Sequence, residues 1–129
     1  MKIEHLALWT NQLDVLKAFY IKFFNARANE KYYNPRKEFS SYFLSFSDGA
    51  RLELMQMPGI PASNNDIMRQ NTGLIHFAVS TGSKENVDAL TEAIRQEGFT
   101  VIGEPRWTGD GYYESVILDP DNNRIEITI

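Results

Sequence analysis

Hydrophobic and polar residues alternate from Ile3 to Trp9, with Leu6 and Leu8 on one side and His5, Ala7 and Trp9 on the other. That is the period of a strand. Asn11 is then placed to cap a helix from Gln12 to about Phe24, in which Leu13, Leu16, Tyr20 and Phe23 recur at helical spacing and form one buried stripe. Extended stretches are predicted near 28–33 and 41–46, and the turn Ser47-Asp48-Gly49 leads into a strand from Arg51 to Met57.

The second half of the chain repeats that order. Leu74 to Ser80 alternates, with Ile75, Phe77 and Val79 opposite His76 and Ala78. Ser83 is a good helix cap, Val87, Leu90 and Ile94 make the next apolar stripe, and Gly98 is a natural stop. Strands are predicted at 99–102 and 113–118, and Asp119-Pro120-Asp121-Asn122-Asn123 turns the chain into a last strand ending on Ile125-Glu126-Ile127-Thr128-Ile129. Residues 58–73, rich in Pro, Asn and Gly, read as a surface linker.

Similarity at so long a period decides the fold class. "IEHLALWT" aligns with "LIHFAVST" and "DGARLELM" with "DNNRIEIT", which places His5 on His76 and Glu53 on Glu126. The expectation is one α+β domain over 1–129, with modules at about 1–57 and 74–129. In each module the aliphatic strand faces (Leu52 and Leu54, Ile125 and Ile127) pack on a helix, and the His and Glu face the other way, toward a shared cavity.

Composition narrows the function. The chain of 129 residues carries a net charge of -4, so nucleic acid and anionic membranes, which both need a cationic footprint, are excluded as main partners. It has no cysteine, hence no disulfide framework, thiolate nucleophile or thiolate metal site. No apolar run approaches the roughly 20 residues that span a bilayer, and the start, Met1-Lys2-Ile3-Glu4-His5, is unlike a signal peptide. A cytoplasmic protein with a small-molecule substrate is expected.

A single strand histidine is more often structural than a ligand, and a single glutamate is usually solvated. Here both histidines of the chain occupy the same position of the repeat. Each half also carries a carboxylate between aliphatic neighbours, where a charge is costly unless paired. Two imidazoles and two carboxylates suit one divalent transition ion (Zn, Ni, Co, Mn or Fe) rather than Ca²⁺ or Mg²⁺, which prefer oxygen alone. His5, Glu53, His76 and Glu126 are therefore the predicted ligands.

With "IEHLALWT", "RLELM", "LIHFAVST" and "LDPDNNRIEI" arranged in two βαβββ modules, the whole chain resembles the vicinal oxygen chelate superfamily (glyoxalase, bleomycin resistance and dioxygenase proteins). The resemblance implies a curved mixed sheet, a half-barrel around the metal, with helices outside. Within the superfamily the set His5, Glu53, His76, Glu126 is most similar to glyoxalase I, since the fosfomycin enzymes and extradiol dioxygenases lack the ligand at Glu53 and the epimerases usually have Gln there. It implies a lyase or isomerase acting on an α-hydroxycarbonyl, a hemithioacetal, through an enediolate, with Glu126 the base and Glu53 the opposite ligand or second base. A homodimer with the cavity closed across two chains is also implied.

Two positions depart from glyoxalase I: Trp9 stands where it often has Arg, and Met57 where it often has Asn, both toward glutathione. Trp9, Arg51, Trp107 and Arg124 are the substrate-binding candidates, and residues 104–113 are predicted to form a mobile lid. The alternatives are an epimerase, a thiol transferase of the fosfomycin type, an extradiol dioxygenase using His5, His76 and Glu126, or a binding protein without turnover.

Overall fold

The computed structural model describes residues 1–129, which divide into two units, Met1–Asn64 and Asn65–Ile129. In the first, β1 (His5–Trp9) leads to α1 (Leu13–Phe24), followed by β2 (Arg27–Ala28), β3 (Tyr32–Asn34), β4 (Phe39–Ser45) and β5 (Arg51–Gln56). The sheet order is β1-β5-β4-β2, with β3 also paired to β4. β1 and β5 run parallel because α1 carries the chain back between them, whereas β4 and β5, joined by a tight turn, are antiparallel.

Leu44, Leu52 and Leu54 of this sheet are fully or almost fully buried, as are Leu13, Leu16, Phe19 and Tyr20 of α1. The helix packs on β4 and β5. Its stripe differs from expectation at one place: Phe19 is buried, and Phe23 is only half-buried. The cap differs too. Gln12, not Asn11, takes the cap position and makes no side-chain cap bond. Instead buried Thr10 accepts the Gln12 N–H on Oγ1 at 3.0 Å. The stretch predicted at 28–33 is broken in two, because Asn29 leaves the strand pattern and accepts the Phe43 N–H on its side-chain oxygen at 2.7 Å.

The second unit contains β6 (His76–Ser80), α2 (Lys84–Gln96), β7 (Val101–Trp107), β8 (Tyr113–Leu118) and β9 (Arg124–Thr128), in the sheet order β6-β9-β8-β7. Ser83 caps α2 as predicted, accepting the Asn86 N–H at 3.2 Å. The buried stripe is Val87, Thr91 and Ile94, with Leu90 half-buried beside it. Thr91 tolerates burial because its hydroxyl bonds the Val87 carbonyl at 2.7 Å and the Ser115 hydroxyl at 2.6 Å.

The turn before β9 is built by one carboxylate. Asp119 Oδ1 accepts the N–H of Asp121 and of Asn123, each at 2.9 Å, while Asn122 takes the left-handed conformation at φ 64. Residues 104–113, expected to be a loop-like lid, are mostly strand. Through Trp107 they belong to β7, and from Tyr113 to β8. Only 108–112 form a turn, closed by the Thr108 N–H on the Tyr112 carbonyl at 2.8 Å and by the Thr108 hydroxyl, which accepts the Tyr112 N–H at 3.0 Å. Strand pairing uses the backbone bonds that a lid would need free. No helix is long and apolar enough to cross a membrane.

Candidate metal centre

Register positions the candidate ligands. In the first sheet His5 stands opposite Arg51 and Ala7 opposite Glu53. Alternation then puts His5, Ala7, Trp9, Arg51, Glu53 and Met55 on one face, with Leu52 and Leu54 on the helix side. The second sheet repeats this with His76 opposite Arg124 and Ala78 opposite Glu126. His5 Nε2 lies 3.7 Å from Glu53 Oε2, and His76 Nε2 lies 3.4 Å from Glu126 Oε2.

Neither pair closes into a normal hydrogen bond, which would bring the atoms to about 2.7–3.2 Å. Two donors that each sit about 2.1 Å from one ion are roughly 3.0–3.4 Å apart, depending on coordination geometry. The second pair has that separation and the first is slightly wider. Both glutamates are half-buried, with side-chain exposures of 16% and 17%, while the histidines are open at 39% and 43%. No group of three or more His, Cys, Asp or Glu is arranged to hold a metal. What the structure forms is two like pairs of nitrogen and oxygen donors, one in each unit. Their chemistry fits a divalent transition ion.

The two pairs have different neighbours. In the first unit Glu4 accepts from His5 Nδ1 at 2.5 Å and from Arg51 Nε at 2.8 Å. The Arg51 guanidinium also stacks over Phe43, 4.2 Å from the ring centroid, and the same ring meets His5 edge-on at 5.4 Å. The hydrogen bonds from His5 and then from Arg51 hold the Glu4 carboxyl below the usual glutamate range.

In the second unit Arg106 bonds Glu114 at 3.0 Å, and Glu114 lies diagonally across the β8–β9 ladder from Glu126 on the same face. Burial first, and then the negative charge of Glu114, raise the Glu126 pKa; His76 and Arg106 oppose this.

Residues 2–127 match the family described as the Glyoxalase/Bleomycin resistance protein/Dioxygenase superfamily. The chain belongs to that superfamily. It is 27% identical over 128 residues to the uncharacterized protein YqjT of Bacillus subtilis (strain 168), covering 97% of this chain and 96% of that one. A glyoxylase/bleomycin resistance protein/dioxygenase domain from Frankia sp. EAN1pec superposes with a TM-score of 0.82 at 19% identity, over 100% of this chain and 97% of the other. Glyoxalase I from Zea mays superposes with a TM-score of 0.79 at 24% identity, over 98% of this chain and 44% of the longer plant chain. These structural likenesses establish the superfamily fold.

Against that superfamily fold, the four substrate-binding candidates are found in varied settings. Trp9 is 41% exposed on the His5 face and packs edge-on to Phe39 at 6.0 Å. Arg51 is engaged by Glu4 and Phe43, as above. Arg124 donates to the Ile67 carbonyl. Trp107 is exposed at the end of β7, edge-on to Tyr113 at 5.2 Å.

Glu4, Glu114, Arg106 and Phe43 were not singled out from the sequence. For Glu114 a signal existed, since it alternates on β8 with Val116, the partner of Glu126. For Glu4 there was none: it precedes the predicted ligand on a strand edge, and only the register with β5 brings Arg51 to it.

Proposed function

We propose that this chain is a divalent-metal-dependent isomerase or lyase of the glyoxalase I kind, acting on an α-hydroxycarbonyl substrate such as a hemithioacetal. His5, Glu53, His76 and Glu126 would hold the ion. The observation that carries the reading is the duplicated His–Glu pair, in neither unit at hydrogen-bond distance and in the second at the spacing of two donors on one cation. When bound, the ion supplies Lewis-acid stabilisation of the negative charge that develops on substrate oxygen as the C–H bond breaks.

The chain's own residues then have distinct parts. Glu126 takes the proton from one carbon and returns it to the next. Its setting beside Glu114, partly withdrawn from water, raises its affinity for a proton. Glu53 sits beside Phe43 in the sheet register, is the opposite ligand and serves as the second proton carrier. Trp9 and Phe39 offer an aromatic surface on the face that carries His5 and Glu53. That surface favours an adduct of an apolar or aromatic thiol, or another α-hydroxycarbonyl, over the glutathione adduct. The protein is further proposed to work as a homodimer.

Metal analysis of purified protein, followed by methylglyoxal with a panel of thiols, tests the reading. Bound ion and isomerisation of at least one adduct are expected. Ni²⁺ at a hundredfold excess over its Kd should stabilise the fold by about 2.7 kcal/mol. A metal-loaded protein without isomerase activity that binds an aromatic ligand tightly would overturn the enzyme reading in favour of a binding protein.

A further inference from the structure

The two halves treat their histidines differently. Next to His5 stands Glu4, whose Oε2 is 2.5 Å from His5 Nδ1. Glu4 is itself fixed from two directions. Its backbone carbonyl accepts the Arg51 N–H at 3.0 Å, and its other carboxylate oxygen, Oε1, accepts from the Arg51 guanidinium, with Nε at 2.8 Å. Phe43 backs that guanidinium at 4.2 Å. An unbroken line therefore runs from Arg51 through Glu4 to His5, whose other nitrogen, Nε2, faces Glu53. Nothing equivalent serves His76. The residue before it is Ile75, and Arg124, in the register place of Arg51, donates to the Ile67 carbonyl.

An imidazole can offer a lone pair from one nitrogen only when its proton is on the other. A carboxylate at Nδ1 keeps the proton there, fixes the ring plane and makes Nε2 a stronger donor. We infer that Glu4, held by Arg51, is a positioning residue that sets the tautomer and orientation of His5 and thereby strengthens Nε2 of His5 as a ligand, a support that His76 lacks. The inference rests on the metal reading above. Arg51 accordingly serves Glu4, and its guanidinium is not free for an anionic substrate.

The test uses intact protein with Ni²⁺ as probe. Affinities are measured by calorimetry for wild type, Glu4→Ala, Glu4→Gln and Arg51→Ala, and the tautomer of each histidine in the metal-free proteins by long-range ¹H–¹⁵N NMR. The Glu4 and Arg51 side chains are 53% and 40% exposed, so these substitutions leave the apolar core untouched. In wild type, neutral His5 should carry its proton on Nδ1. In Glu4→Ala its signals should move to those of an unconstrained imidazole, with His76 unchanged, and Ni²⁺ affinity should fall about 10- to 100-fold. Glu4→Gln keeps an acceptor oxygen and should recover part of the loss, and Arg51→Ala should produce a smaller one. Equal affinity and an unaltered His5 tautomer in Glu4→Ala overturn the positioning role while leaving the metal reading intact. A wild type that binds no Ni²⁺ overturns the metal reading and this inference together.

Discussion

Glu114 lies diagonally across the β8–β9 ladder from Glu126, on the same face of the second sheet, so two carboxylates compete there to be charged. Burial and this neighbour outweigh His76 and Arg106, and the Glu126 pKa is raised. A carboxyl whose folded pKa is raised contributes stability that is present below its unfolded pKa and lost as pH rises through the folded one. At neutral pH the ionised Glu126 therefore opposes folding of the metal-free protein. Glu126→Gln should raise the metal-free Tm by about 1–2 °C at pH 7. That advantage should vanish as pH falls below the glutamate range. The same substitution should lower turnover at least about a hundredfold while some metal is kept, because the amide oxygen coordinates but takes no proton. Thermal scans across pH beside steady-state kinetics check both halves of this expectation. Glu53→Gln, without a second carboxylate beside it, should be milder.

The proposed homodimer has a direct reading in subunit exchange. Two inactive proteins, His5→Ala and Glu126→Ala, are mixed and allowed to exchange. If each centre draws its first pair from one chain and its second from the other, random exchange makes roughly half of the dimers hybrid, each with one intact centre of two. Recovery of about a quarter of wild-type activity is expected. No recovery after exchange, confirmed by mass spectrometry, places each centre within one chain.

Trp9 lies on the His5 face at the position where glyoxalase I often carries an arginine toward glutathione. Trp9→Arg should raise kcat/KM for the glutathione hemithioacetal about tenfold, the effect of one charge-assisted hydrogen bond gained. It should lower kcat/KM for an aromatic thiol adduct, since the contact with Phe39 is lost. Competition between the two adducts in one reaction reads the ratio directly.

The buried hydroxyl pair of the second unit makes a prediction about stability alone. Thr91→Val preserves shape but leaves the Ser115 hydroxyl, 1% exposed, without its 2.6 Å partner. The cost should be about 1–3 kcal/mol in chemical denaturation. Removing both hydroxyls, in Thr91→Val with Ser115→Ala, should recover most of that loss, because no buried polar group is then left unpaired. A double variant weaker than the single one would count against this account.

The order of strands and helices, and the face each strand turns to its helix, follow from local periodicity. Leu52, Leu54, Ile125 and Ile127 are buried where alternation puts them because any other register would expose apolar area to water. The internal repeat likewise aligned each histidine with its counterpart and each glutamate with its own, since duplicated sequence carries duplicated register. Local pattern could not supply what depends on neighbours distant along the chain. Thr91 occupies an apolar stripe because a serine 24 residues away satisfies it. The segment around Trp107, loop-like for its glycines, is strand and tight turn because β8 pairs with it. The partners of the candidate ligands, Glu4 with His5 and Glu114 with Glu126, belong to the same class. Hydrogen bonds and charge contacts between side chains act over a few ångströms, and which two side chains come that close is decided only when the strands have chosen their neighbours and their register.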